Sequence, residues 1–480
     1  MNHNDFDALI IGAGSGGLTV AVGLTGLGKR VALIEKGNVG GDCTNTGCIP
    51  SKTLLAAVRE PSLASPADML AHVRSKRDHL VGEENTWVEG IENLSFIRGQ
   101  ATFLAGNVVE VSLHDGQRRT LRAPHVIIAS GSSAVRIPIA GLPVERTLTN
   151  DNLFELTEAP RHLAIVGAGV IGVEMAFAFA GLASQVSLID LAPRVLSTAS
   201  ERASSVVEHS LATKGVNIYL SCKVESYSEA DGSLHLSDGS TITKVDKVLL
   251  AMGRRPNVDN MGLENIGLRF DKRGIPTNAY AQTNIKGLYA IGDVTPQSNF
   301  THSANAQGRR LVQRIAFPFL PALSPEPEYP SAVFSQPEVA QIGPKRADLH
   351  KRYHPQLITS FSYELSKTDK GYTEGIESGY ITLHAMRFTG RLLSAEIVAP
   401  AASEMISLLS LAINKRVSLY SLSQLVFPYP TLSEAVKKAA DAFSFSSLAK
   451  LPQECFSYLR HRPVVWLMRV KHRLQALSSI

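Results

Sequence analysis

The chain carries the same unit twice, a strand, a glycine loop, a helix and a strand ending in an acid, and this repetition restricts its fold more than any other feature. In the first copy an apolar run, Phe6 to Ile11, enters Gly12-Ala13-Gly14-Ser15-Gly16-Gly17; a helical stretch follows, then a strand from Arg30 to Ile34 that ends at Glu35. In the second, Leu163 to Val166 enters Gly167-Ala168-Gly169-Val170-Ile171-Gly172, with a helix expected from Val173 to Leu182 and a strand from Gln185 to Ile189 ending at Asp190. Gly12 to Gly167 and Glu35 to Asp190 are the same offset, 155 residues, so fingerprint and acid repeat in register.

Each copy has a mechanical meaning. The first glycine permits the tight turn from strand to helix, the second lets backbone approach a pyrophosphate, and the third lets helix and strand pack closely. Unpaired N–H groups at the helix N-terminus face the phosphates. The terminal acid accepts hydrogen bonds from a ribose diol and repels a 2'-phosphate. Two such units imply two dinucleotides, most simply FAD and NAD(P)H, and an α/β fold with two Rossmann-like domains. Val126 to Gly131 and Val248 to Gly253 read as buried strands ending in small residues, where backbone passes close to a cofactor. The run from Gly287, G-L-Y-A-I-G-D-V, puts Asp293 just past a strand, as a ligand for a cofactor hydroxyl or as a turn residue.

A length of 480 residues predicts two to four domains. With 44% hydrophobic and 19% charged residues, and no run of eighteen apolar residues, neither disorder nor a membrane span is expected. The polar, acidic start lacks the features of a secretory signal and points to the cytoplasm. The net charge of +5 resides in the tail: from Phe445 onward there are six basic residues and one acid, leaving 42 basic against 42 acidic residues elsewhere. Nucleic acid binding is therefore not expected. In that tail, Val464 to Met468 flanked by Arg460, Arg462, Arg469, Lys471 and Arg473 suits either peripheral contact with an anionic membrane or a helix docked on a dimer.

Four cysteines, at 43, 48, 222 and 455, are too few for a disulfide-stapled scaffold. Cys222 and Cys455 have no near partner and read as inert thiols. Cys43 and Cys48 form a close pair, which is catalytic, redox-sensing or half a metal site; no further ligands stand at recognisable spacing, so no resident metal is expected. On a regular helix, alpha carbons five apart lie about 8 to 9 Å from each other, too far for a disulfide. Bridging requires a distorted turn, which Gly47 eases, with a helix beginning at Cys48 and Pro50 in its first turn. That helix end and Lys52, one turn on, both favour a Cys48 thiolate.

The run G-G-D-C-T-N-T-G-C-I-P-S-K from Gly40, both fingerprints and G-L-Y-A-I-G-D-V together resemble the class I pyridine nucleotide-disulfide oxidoreductases, a family that includes dihydrolipoamide dehydrogenases, glutathione reductases and mercuric reductases. The resemblance runs from about Phe6 to Phe443. It implies an FAD domain at 1–150, interrupted by an NAD(P) domain at 151–272 and resumed with a linker at 273–330. An α+β dimerisation domain at 331–444 would form a homodimer, and 445–480 would be a basic extension. By the same resemblance Gly12, Gly14, Gly17, Glu35, Ser130, Gly131 and Asp293 hold FAD, while Gly167, Gly169, Gly172, Asp190 and Gly253 hold the nicotinamide nucleotide. Lys52 sits by the flavin and pairs with Glu174, Cys48 is the flavin-proximal thiol, and Cys43 exchanges with the acceptor. Asp190 followed by Leu191-Ala192-Pro193-Arg194 lacks the arginine cluster of NADPH users, so NADH is expected over NADPH.

Near the C-terminus the chain departs from the disulfide reductases. They resemble one another in a histidine before Pro-Thr, oriented by an acid five residues on; here Glu434 is present but the histidine position is Tyr429. A phenol is a poor base near neutrality, which argues against the familiar dithiol–disulfide interchange. Mercuric reductases also resemble the chain at this tyrosine, yet they end in a vicinal cysteine pair where this tail has only Cys455. Tyr429 is thus either a site residue or an interface packing residue. The expected activity is electron transfer from NAD(P)H through flavin and the Cys43–Cys48 disulfide to a thiol or disulfide, a soft metal ion or another small acceptor. Mercuric reductase proper, dihydrolipoamide dehydrogenase and a low-turnover flavin redox sensor stand as alternatives.

Overall fold

The structure is a computed structural model and describes residues 5–60, 65–297, 300–320, 327–449, 453, 457 and 458. They group into two compact units, Met1–Leu196 with Leu211–Pro325, and Ser197–Ser210 with Glu326–Ile480.

The first unit holds both glycine fingerprints. In its seven-stranded sheet, Ala8–Ile11 lies parallel between Val31–Glu35 and His125–Ile128. Leu288–Ala290 and Leu94–Ala105 flank these, and Val108–Leu113 and Arg118–Arg122 extend the sheet antiparallel. The central strands are apolar throughout because both faces are covered. Ile10, Leu33 and Ile127 join one core with Val20 and Leu24, whereas Leu9, Ile34 and Val126 join the other with Phe103 and Leu263. Helix α1 (Ser15–Thr25) follows the first fingerprint, and α2 (Gly41–Asn45), α3 (Cys48–Ala57) and α4 (Pro66–Glu89) follow the strand that ends at Glu35.

A second sheet is entirely parallel, in the order Asn217–Leu220, Gln185–Asp190, His162–Val166, Lys247–Leu250 and Thr147–Leu148. The short α5 (Asn150–Leu153) carries a capping box from Thr149. Helix α6 (Val170–Gly181) begins at Val170 rather than at the expected Val173, because Gly169 is its N-cap and accepts the Val173 N–H. The last three fingerprint residues are therefore the first turn of the helix. Cys222 is buried in the core of this region, and burial pushes its thiol pKa up, as suits an inert residue. Further along come α7 (Glu201–Thr213) and α8 (Thr301–Ala316). Helix α8 crosses α1 so closely that a Cβ at Gly308 would lie 3.0 Å from the Gly16 carbonyl oxygen.

The second unit is an antiparallel five-stranded sheet ordered Ser331–Val333, Glu338–Ile342, Leu392–Ala399, Tyr380–Met386 and Ile358–Glu364. Its helices are α9 (Arg346–Arg352), α10 (Asp369–Thr373), α11 (Ala402–Asn414), α12 (Leu419–Ser423) and α13 (Glu434–Ala449). Ile381, Leu383 and Ile397 meet Met405, Leu409, Val436 and Phe443 in one core. Helix α13 runs to Ala449, past Phe445 where the extension is expected to start, and within it buried Phe443 packs edge-on against Phe361 and Tyr420. Cys455 and the basic segment with Val464 to Met468 lie outside the described residues. Among those described, no helix is long and apolar enough to cross a membrane.

Candidate active site

The two fingerprints are built alike. Gly12 and Gly167 have φ of +104° and +113°, and a side chain at either would strike the carbonyl oxygen of Ala129 or Ala251. A Cβ at Gly17 would lie 1.9 Å from the Gly12 oxygen, and one at Gly172 1.8 Å from the Gly167 oxygen, so the third glycine is set by packing. The middle glycine behaves differently. At Gly169 an added Cβ meets nothing within 4 Å, and at Gly14 only the Gly41 alpha carbon at 3.8 Å. Gly131 (φ +69°) and Gly253 (φ +107°) also face open space. Both loops thus leave room for a phosphate against bare backbone, and the residues fit two dinucleotides.

The acids have a second task that the sequence does not announce. Glu35 accepts from Ala13 N at 2.7 Å and Gly37 N at 2.8 Å, while Asp190 accepts from Ala168 N and, at 2.7 Å, from Ala192 N. Each carboxylate fastens the residue after the first glycine and keeps further lone pairs for a diol. Ser130 Oγ donates to the Asn257 carbonyl at 2.7 Å, and Asn257 Nδ2 returns a bond to the Ser130 carbonyl. Asp293 accepts from Ser132 Oγ at 2.9 Å.

Cys43 and Cys48 stand on two helices, Cys43 within α2 and Cys48 opening α3. The break at Thr46 and Gly47 replaces the single helix that would hold them apart, and a side chain at Gly47 would come within 2.7 Å of the Asp42 carbonyl oxygen. The two sulfurs share a hydrogen bond, which draws the Cys48 pKa down to about 6 and drives that of Cys43 upward. Burial opposes the Cys48 thiolate, while Lys52 supports it and Glu174 works against it.

Lys52 Nζ lies 2.8 Å from Glu174 Oε2, and the Glu174 side chain is only 4% exposed. This contact joins α3 to α6, and a Cβ added at Gly181 of α6 would lie 2.8 Å from the Cβ of Val58, the C-cap of α3. Thr301, the first residue of α8, brings its Oγ1 to 3.8 Å from Cys48 Sγ and lowers both thiol pKa values. Its role was not legible in sequence, because nothing local marks a threonine 253 positions from its partner. Arg254 carries no sequence signal of its own either, although it directly follows Gly253. It donates to Ser132 Oγ and to the Ser132 carbonyl, both at 2.8 Å, and pairs with Asp42 beside Cys43.

In the second unit Tyr429 is 71% exposed and donates to Asp369 Oδ2 at 3.0 Å, which raises its pKa. Glu434 instead meets Lys438 at 3.3 Å.

Comparison with known proteins agrees with this construction. The sequence pattern described as pyridine nucleotide-disulphide oxidoreductase matches residues 6–308, and that family's dimerisation domain matches residues 329–440. The chain is 31% identical to dihydrolipoyl dehydrogenase 3 of Haloarcula marismortui over 90% of its length and 95% of the relative's. It is also 31% identical to a mercuric reductase of Streptomyces lividans, over 94% and 98%. Among solved structures, a Cu(II) complex of the HOCl-induced flavoprotein disulfide reductase RclA from Escherichia coli superposes with a TM-score of 0.83 at 25% identity, covering 92% of this chain and all of that one. Two dinucleotide cradles, a neighbouring thiol pair and these matches together place the chain in the pyridine nucleotide-disulphide oxidoreductase family, as an FAD-dependent enzyme that carries the family's dimerisation domain.

Proposed function

We propose that the enzyme works as a homodimer, oxidises NADH in preference to NADPH, and delivers the electrons through Cys43 and Cys48 to a soft metal ion. FAD, when bound, would supply two-electron chemistry between nicotinamide and the sulfurs. Gly12, Gly14, Gly17, Glu35, Ser130, Gly131 and Asp293 would hold FAD in a domain formed by residues 1–150 and 273–330. Gly167, Gly169, Gly172, Asp190 and Gly253 would hold the nicotinamide nucleotide in residues 151–272. Residues 331–444 would form the dimer contact. Asp190 supports NADH, since a carboxylate already fixed to Ala168 and Ala192 repels a 2'-phosphate and still accepts from a diol.

The observation that carries the choice of acceptor is the contrast between Cys48 and Tyr429. Cys48 is drawn to a pKa of about 6, so a soft thiolate is available at neutral pH, whereas the phenol of Tyr429 is tied to Asp369 with its pKa raised. Exchange with an organic disulfide needs a base that titrates near neutrality to manage the leaving thiol's proton. A soft cation needs thiolate ligands and no such base. The mercuric reductase relative and the RclA structure solved with Cu(II) support the same reading. The balance closes: NADH gives up a hydride and a proton is released, and either one mercuric ion takes both electrons or two cupric ions take one each.

Steady-state NADH oxidation with cupric ion, mercuric ion, lipoamide, small disulfides and quinones tests the proposal. Metal-dependent turnover should exceed that with every disulfide and vanish in Cys43→Ser and Cys48→Ser. Faster turnover with lipoamide would favour a dihydrolipoyl dehydrogenase and overturn the metal reading.

A further inference from the structure

Beneath the turn that bears Cys43 lies a carboxyl group that the electron path does not use. Glu84, on α4, accepts from Thr44 Oγ1 at 3.2 Å through Oε1. Its other oxygen, Oε2, is shut off from solvent and has no hydrogen-bond partner. That oxygen rests against Gly40, where an added Cβ would come within 2.2 Å of it and within 2.4 Å of Thr44 Oγ1. Gly40 has φ of +89° and is the N-cap of α2, so the start of the helix carrying Cys43 is seated on this carboxyl. A half-buried carboxylate with one oxygen shut off from water and unpartnered is costly, and a fold that served packing alone would be better filled by an apolar side chain.

We propose that Glu84 is a positioning residue for the thiol pair: through Thr44 it clamps α2, and it places a negative charge beside Cys43 so that, after reduction, the proton stays on Cys43 and the thiolate on Cys48. The inference rests on the assignment of these two cysteines as the redox couple. Hydride supplied by NADH carries two electrons and one proton; the sulfur–sulfur bond breaks and one thiol and one thiolate form, so the position of a single proton decides which sulfur is which. The charged and polar groups facing the pair are Lys52 on α3, Glu174 on α6, Thr301 on α8 and Glu84 on α4, with Asp42 on α2 held by Arg254. Of the two carboxylates acting on the thiols, Glu174 bears on Cys48 and Glu84 on Cys43, where it disfavours the thiolate. Burial raises the Glu84 pKa, with Thr44 opposing, so the charge is present only once pH has risen through that raised value.

The test uses the flavin-loaded protein, reduced with NADH under argon and pulse-labelled with iodoacetamide from about pH 5 to pH 9, with the label at each cysteine read by mass spectrometry. Glu84→Gln should raise labelling of Cys43 relative to Cys48 about threefold near neutral pH, the effect of losing one screened charge. Thr44→Val, which strips the carboxylate of its donor and disfavours its charge, should move the ratio the same way by less. A ratio and pH profile in Glu84→Gln indistinguishable from wild type would overturn the proposal. So would an unchanged ratio in Thr44→Val should Glu84→Gln not fold. If NADH exposes no labelled thiol in the wild type, the redox couple itself is wrong and the inference falls with it.

Discussion

Lys52 Nζ and Glu174 Oε2 lie 2.8 Å apart although 122 residues separate them, and the lysine one turn beyond Cys48 is thereby anchored to the helix of the second glycine fingerprint. The lysine end is a third exposed and the glutamate end buried. Lys52 favours the Cys48 thiolate and Glu174 opposes it, so the two must shift that thiol in opposite directions.

Lys52→Met should therefore raise the Cys48 pKa above about 6 and slow its alkylation at pH 7 several-fold, whereas Glu174→Gln should lower that pKa. The pH profile of iodoacetamide labelling reads both. In the wild type the reactive thiolate is present above about pH 6 and is lost as pH falls through that value. Lys52→Met also removes the lysine from its ion pair with buried Glu174, and should cost on the order of 1–3 kcal/mol in a denaturant melt, less than a fully buried pair because Lys52 is partly solvated.

The glycines separate room for a ligand from room for the chain. Gly169→Ala should fold with normal flavin content and raise KM for NADH several-fold, because its methyl group points into open space. Gly172→Ala should lower Tm by several degrees, since its Cβ would sit 1.8 Å from the Gly167 oxygen. Equal Tm values for the two variants would contradict this division.

These contrasts show how far the sequence was legible. The paired fingerprints and their acids are local patterns, and the apolar runs on either side of the glycine loops place the strands and helices around Gly12 and Gly167 to within a few residues. The break between Cys43 and Cys48 was legible because a regular helix cannot bridge that spacing. Thr301, Arg254 and Glu84 were not, since each reaches the cysteine turn through tertiary packing and carries no motif of its own. Glu35 and Asp190 were half legible: their fingerprint position suggested ribose, while their bonds to Ala13 and Ala168 emerge only from the fold.

Nucleotide preference should follow Asp190. NADH should give the higher kcat/KM, and Asp190→Ser should reduce the preference roughly tenfold, the value of one hydrogen bond to a charged acceptor. A wild-type enzyme faster with NADPH would contradict the reading.

At the other end of the chain, Tyr429→His should increase turnover with small disulfides by about tenfold by restoring a group that titrates near neutrality. Asp369, which accepts a hydrogen bond from the tyrosine hydroxyl at 3.0 Å, is the carboxylate that the shorter imidazole would face. Unchanged disulfide turnover would show that position 429 serves packing.

The central claim is that Cys43 and Cys48 form a disulfide that the enzyme itself reduces with NADH. Counting thiols in denatured protein before and after anaerobic NADH tests it most directly. The count should rise by about two per chain in the wild type and by none in Cys48→Ser, as a two-electron couple requires. No rise in the wild type, or the same rise in both proteins, would contradict it.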